Sequence, residues 1–243
     1  MANSYFQFKQ FTIQQDKCAM KVTTDSCLFG AWVAERVGSQ ESGAGRVLDI
    51  GTGTGLLALL LAQQTNLSID AVEIDRDAAM QASENVAASP WSEKINIITG
   101  DAREVEFREK YDVIISNPPF YEKELKGDDA KKNIAHHNEG LLLPELLDLI
   151  KNNLNQDGSF YLLLPFKRNE EIRKMLTKNE LTVEQITFVR QTVNHDYFRI
   201  MLAGKLTTEK LTETAVDEIS IKNEEQQYTP VFVNLLKDYY LHL

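Results

Sequence analysis

Apolar positions in this chain fall into two alternating patterns. Short continuous apolar runs of strand type are separated by stretches in which apolar residues recur at helical spacing. Val47, Leu48 and Ile50 make the first such run, within RVLDIGTGTGLLALLLA (residues 46–62). It stops at Gly51-Thr52-Gly53-Thr54-Gly55 and restarts as an apolar helix. Further strands are predicted at 68–74, 95–99, 111–116 and 159–164, with helices at 76–88, 141–154 and 169–179 between or after them. Segments 183–190 and 198–206 read as an antiparallel pair around Asn194-His195-Asp196, and 228–241 reads as a terminal amphipathic helix. Ahead of this series, 5–14 suggests a hairpin (Phe6, Phe8, Phe11, Ile13) and 26–37 a helix. The charged stretch 205–225 carries no clear pattern. Continuous rather than alternating apolar strands are those of a parallel sheet covered on both faces. The fold expected is α/β and Rossmann-like: a seven-stranded, mostly parallel, doubly wound sheet with an antiparallel last strand. One domain spans 1–243, with 1–40 as an N-terminal extension and 41–243 as the core.

Composition changes this picture little. At 243 residues and 43% hydrophobic, the chain can bury a substantial core. No run approaches the roughly 20 apolar residues of a membrane span, and the N-terminus lacks a signal-peptide plan, so cytoplasmic residence is the expectation. Cys18 and Cys27 are too few for a disulfide scaffold and read as ordinary, partly buried thiols. His136 and His137 lack a carboxylate or cysteine at ligand spacing, so no metal site is expected. A net charge of −10 argues against avid nonspecific nucleic-acid binding while leaving room for one local basic patch. Lys123, Lys126, Lys131 and Lys132, in the polar stretch 121–140, are the candidates, with His137 beside them.

The chemistry is carried by residues at predicted strand ends. Strand, glycine turn and helix form a cradle whose backbone a nucleotide-like ligand can approach. The spacing G-x-G-x-G differs from the dinucleotide G-x-G-x-x-G, so a pyrophosphate is not the obvious guest. Glu73 lies about 20 residues beyond the turn, where nucleotide folds place an acid on the ribose hydroxyls; a helix start is the plainer reading. Asp101, just past the 95–99 strand, can accept from an adenine amino group while Ala102 N–H donates to the ring; an N-cap is the rival. Thr24 and Asp25 look like a helix cap that also faces the cleft. Asn117-Pro118-Pro119-Phe120 follows the 111–116 strand directly. The prolines stiffen the backbone, holding the Asn117 side chain and the Pro118 carbonyl toward the crevice, and Phe120 offers a flat apolar face. Adenine and ribose without pyrophosphate point to S-adenosylmethionine. A nicotinamide oxidoreductase is disfavoured by the glycine spacing.

This order of motifs resembles the class I methyltransferase fold. The resemblance implies Asp49 and the glycine loop at the methionine end, Glu73 at the ribose and Asp101 at the adenine amino group. Residues 16–32 (DKCAMKVTTDSCLFGAW), 89–97 (SPWSEKINI) and 228–241 (YTPVFVNLLKDYYL) further resemble the bacterial tRNA1(Val) (adenine-37-N6)-methyltransferase family, over nearly the whole chain. That resemblance implies a tRNA substrate methylated on adenine N6 beside the anticodon, and Thr24 and Asp25 near the cofactor. It gives as cofactor-binding candidates Lys21, Thr24, Asp25, Asp49, Gly51, Thr52, Gly53, Gly55, Glu73, Ile74, Asp101, Ala102 and Asn117, and as catalytic candidates Asn117, Pro118, Pro119 and Phe120. Where relatives show Ala-Arg-His-Glu after NPPF, this chain has Ala135-His136-His137-Asn138. Alternatives are methylation of another nucleic acid or a protein glutamine, or a noncatalytic binding module. A monomer is the default.

Overall fold

The computed structural model describes residues 3–39, 45–118, 141–206 and 213–243. The chain opens with a hairpin, β1 (Tyr5–Gln7) and β2 (Thr12–Gln14), and helix α1 (Thr24–Ser39). Strands and helices then alternate: β3 (Arg46–Ile50), α2 (Leu56–Gln64), β4 (Ser68–Glu73), α3 (Arg76–Ala87), β5 (Ile95–Thr99) and β6 (Tyr111–Ser116). The second half holds α4 (Leu143–Asn153), β7 (Leu154–Pro165), α5 (Asn169–Lys178), β8 (Leu181–Thr192), β9 (Tyr197–Leu206), β10 (Ala215–Lys222) and α6 (Pro230–Leu236).

Among the described residues the main sheet has eight strands in the order β10-β8-β9-β7-β6-β3-β4-β5. All neighbours pair in parallel except β9, which runs antiparallel to both β7 and β8. The expected mostly parallel sheet with its antiparallel member is therefore present, with one strand more than expected. β10 pairs in parallel with β8 over the stretch that carried no pattern. Its sequence, AVDEISIK, buries only Ile219 and Ile221. An edge strand needs few apolar residues, and charges such as Asp217 and Glu218 discourage pairing with other chains. That is why periodicity missed it.

Side chains alternate across β3, so Val47 joins one core and Leu48 and Ile50 the other. The first core packs α1, α2, the hairpin and α6 on one face; the second packs α4 and α5 on the opposite face. Residues Leu56 to Ala62 are all buried. Each leucine there contributes ~1.5–3 kcal/mol relative to exposure, which anchors α2 through burial rather than amphipathicity.

The terminal helix is shorter than expected. Thr229 caps it through its hydroxyl, Pro230 opens it, and the chain turns after Leu236. Tyr239 then donates its hydroxyl to Leu60 O (3.1 Å), and Tyr240 forms a bridge to Phe8. Those tertiary partners outweigh another turn of helix. The rings of Phe6, Phe8 and Phe232 all contact Tyr240, so the two ends of the chain are locked together. Both cysteines are free and buried. Burial pushes the Cys27 thiol up to about 12.

Gly204 on β9 is a point of close approach. A Cβ there would lie 2.4 Å from Phe160 Cζ and 2.4 Å from the Thr182 carbonyl oxygen. Gly204→Ala should therefore destabilise the fold by about 1–3 kcal/mol, the usual cost of overpacking. Urea unfolding of the two proteins checks this.

Candidate active site

Because β3, β4, β5 and β6 are parallel, their carboxyl ends open onto one edge. The strand order reverses between β3 and β6, and such a switch point leaves a crevice for a ligand. The glycine turn leaves β3 at this crevice and Asn117 leaves β6 there. A buried hydrogen bond from Ser116 Oγ to Ile50 O (2.7 Å) fixes the two ends together.

Gly51, Gly53 and Gly55 have φ of 74°, 57° and 82°, a region side-chain-bearing residues avoid. A Cβ on Gly51 or Gly53 would meet nothing within 4 Å, so the turn faces open space. Gly53 N donates to Glu73 Oε2 (2.8 Å), and Asp75 N donates to Oε1 (2.9 Å). Glu73 is thus buried at the end of β4, oriented by backbone on both sides. Each of its oxygens keeps a lone pair for a further donor. Ile74 next to it is 57% exposed, an apolar face beside a carboxylate. Asp75 has the plainer job: its Oδ1 accepts from Ala78 N (2.8 Å) and caps α3.

Asp49 is fully buried on β3. Thr52 donates its hydroxyl to Oδ2 (2.6 Å), whereas Oδ1 has no hydrogen-bond partner. Burial, reinforced by the charge of Glu73, pushes its carboxyl up to about 7, against the pull of Thr52 and of the Ala58 N–H at the start of α2. Its negative charge, when present, lies beneath the glycine turn and acts on a ligand there through the field rather than by contact.

The cap of α1 is Thr23, whose Oγ1 accepts from Ser26 N (3.4 Å), rather than Thr24 or Asp25. Asp25 instead accepts from Arg199 Nε (2.8 Å), joining the first turn of α1 to β9. Asp101 receives three guanidinium hydrogen bonds from Arg103 as well as the Arg103 backbone N–H (2.9 Å), and the residues after it form a turn rather than a helix to be capped. An adenine amino group would share this carboxylate with Arg103. Ala102 is buried beside it. Lys21 is exposed, with Nζ donating to Asn3 O (3.2 Å). Pro119, Phe120, Lys123, Lys126, Lys131, Lys132, His136 and His137 lie outside the described residues.

Other residues here were not singled out from the sequence. Asn85 (2% exposed) donates to Thr54 O in the glycine turn (2.9 Å) and exchanges two hydrogen bonds with the Gln14 backbone. Gln81, one turn earlier on α3, accepts from Lys17 N and donates to Asp16. Two amides four residues apart on a face shared with Ala78 and Ala82 were the available signal. Asn117 Nδ2 donates to Ser26 Oγ (3.0 Å), bringing the start of α1 to the end of β6. Among the described residues no cluster of three or more His, Cys, Asp or Glu is placed to hold a metal, and no helix is long and apolar enough to cross a membrane.

The methyltransferase small domain model matches residues 37–189. Over its full length the chain is 42% identical to the tRNA1(Val) (adenine(37)-N6)-methyltransferase of Cytophaga hutchinsonii, covering 100% of both proteins. The chain belongs to this methyltransferase family. A second member, from Parabacteroides distasonis, is 38% identical, again over 100% of each protein. Among solved structures, one assigned as a class I S-adenosylmethionine-dependent methyltransferase from Listeria monocytogenes superposes with a TM-score of 0.61 at 16% identity. It covers 79% of this chain and 64% of that one, a likeness of fold alone. S-adenosylmethionine is the cofactor of this family. The open glycine turn, the Glu73 carboxylate and the apolar face of Ile74 suit its amino-acid end, ribose and base.

The buried Asp49 sets a pH dependence. Its carboxyl sits at about 7 in the fold against an ordinary 3.8, so between about pH 4 and 7 the unfolded chain loses this proton first. Its contribution to stability falls as pH rises through that window. The stability of Asp49→Asn relative to the parent protein should therefore increase between pH 5 and pH 8. Urea titrations of both proteins at the two pH values provide the comparison.

Proposed function

We propose that this protein transfers the methyl group of S-adenosylmethionine to the exocyclic N6 of adenine 37 in tRNA1(Val), working in the cytoplasm as a monomer. The observation that carries this reading is the Asn117 carboxamide at the carboxyl end of β6, one residue from the Ser116 bond to the end of β3. Full-length relatives bearing that activity in their names support the same substrate.

The exocyclic amine of adenine is a weak nucleophile because its lone pair is delocalised into the ring. S-adenosylmethionine supplies a methyl group made electrophilic by its sulfonium. Asn117 Oδ1 and the Pro118 carbonyl accept the two amine hydrogens, which draws the nitrogen toward a tetrahedral shape and frees its lone pair. Phe120 stacks on the base, and Pro119 stiffens the backbone that carries both acceptors. The contribution of the protein is orientation and preorganised hydrogen bonding. No strong general base is required, since nitrogen sheds its proton once it carries the extra substituent.

Asp49, Gly51, Thr52, Gly53 and Gly55 hold the amino-acid end of the cofactor, Glu73 the ribose, and Ile74, Asp101 and Ala102 the adenine. Lys21, Thr24 and Asp25 stand at the other wall of this cleft. Lys123, Lys126, Lys131, Lys132 and His137 contact the RNA, concentrating positive charge on a chain of net charge −10.

Incubation with unmodified tRNA1(Val) should give N6-methyladenosine by nucleoside mass spectrometry when position 37 is adenine and none when it is another base. Asn117→Ala should lower kcat by about a hundredfold or more, in keeping with losing a preorganised transition-state contact. Product at another adenine, or in a protein or DNA pool instead, would reject the substrate assigned. Glu73→Gln should raise the Kd for S-adenosylmethionine by roughly tenfold, the value of one charged hydrogen bond. Calorimetric titration reads that change directly.

A further inference from the structure

The two ends of a carboxamide are nearly the same shape and opposite in hydrogen-bonding sense. Asn117 serves the amine only if Oδ1, the acceptor, faces it; with Nδ2 there, donor would meet donor. Something must select between the two orientations. Asn117 Nδ2 donates to Ser26 Oγ (3.0 Å), and Ser26 Oγ lies 2.7 Å from Thr23 Oγ1.

A hydroxyl can donate or accept, so the direction of this chain depends on where its protons go. Ser26 is 7% exposed, and Thr23 is exposed. The Thr23 hydroxyl can give its proton to water, leaving its oxygen to accept from Ser26 Oγ–H and from Ser26 N–H (3.4 Å). The Ser26 proton is then committed to Thr23, and its oxygen presents only lone pairs to Asn117. That arrangement attracts Nδ2 and repels Oδ1.

We infer that Ser26 is a positioning residue for methyl transfer, directing the Asn117 carboxamide so that its oxygen faces the substrate amine, with Thr23 setting the direction of the Ser26 hydroxyl. Ser26 does not touch the reacting atoms and acts through Asn117. The inference rests on the role proposed for Asn117 and deepens it.

The test is single-turnover methylation of unmodified tRNA1(Val), sensitive enough to read slow variants, alongside calorimetric titration with S-adenosylmethionine. Ser26→Ala should slow methyl transfer by about tenfold, equivalent to one oriented hydrogen bond. The Kd for S-adenosylmethionine should change less than about twofold, since uniform binding is untouched. Ser26→Thr, which keeps the hydroxyl, should recover most of the rate. Asn117→Asp presents an acceptor at both ends and needs no orienting, so adding Ser26→Ala to it should cost less than about twofold. An unchanged rate in Ser26→Ala would overturn the inference. So would a matching loss of cofactor affinity, or an equal Ser26→Ala penalty in the Asn117→Asp background. Failure of the parent reading looks different: Asn117→Ala itself would then retain its rate. An inactive Asn117→Ala beside a fully active Ser26→Ala would leave Asn117 in place and remove only Ser26.

Discussion

The site depends on one constraint: β3 is covered on both faces, and its chain must leave the sheet sharply enough to begin α2 after only five intervening residues. Three glycines at positive φ make that exit. Once it is made, Gly51 N and Thr52 N both donate to Val72 O, and Gly53 N donates to Glu73. The turn is thereby bound to the end of β4, and Ser116 Oγ binds the end of β6 to Ile50 O. The carboxyl ends of three strands thus share one frame.

The N-terminal segment closes this frame from outside. Gln14, Asp16 and Lys17 are held by Asn85 and Gln81 of α3, and α1 brings Thr23, Asp25 and Ser26 to the far wall. These contacts pair the buried side chains of Gln81, Asn85 and Ser26, each of which would otherwise cost about 1–3 kcal/mol. Such bonds specify a position more than they add stability. The aromatic cluster of Phe6, Phe8, Phe11 and Tyr240 provides the apolar grip that keeps the segment in place.

Electrostatics at the crevice are uneven. Asp49 is an acid held near neutrality by burial, whereas Asp101 is engaged by Arg103, which also reaches Glu145 on α4. Two carboxylates that look alike in sequence therefore sit differently: one is fully buried with an unpaired oxygen, the other is held in an ion pair.

The sequence by itself determined the parallel core, the glycine turn, the strand ends bearing Glu73, Asp101 and Asn117, and through resemblance the family. Continuous apolar runs and positive-φ glycines are local signals, readable from a few consecutive residues. Tertiary structure decided what depends on partners distant along the chain. β10 exists because β8 offers an edge, α6 stops early because Tyr239 and Tyr240 have better partners, and Thr23 takes the cap while Asp25 turns to Arg199. The pairing of Ser26 with Asn117, 91 residues apart, belongs to the same class. A buried hydroxyl leaves no periodic trace in a sequence; its meaning appears only when folding puts an amide within reach.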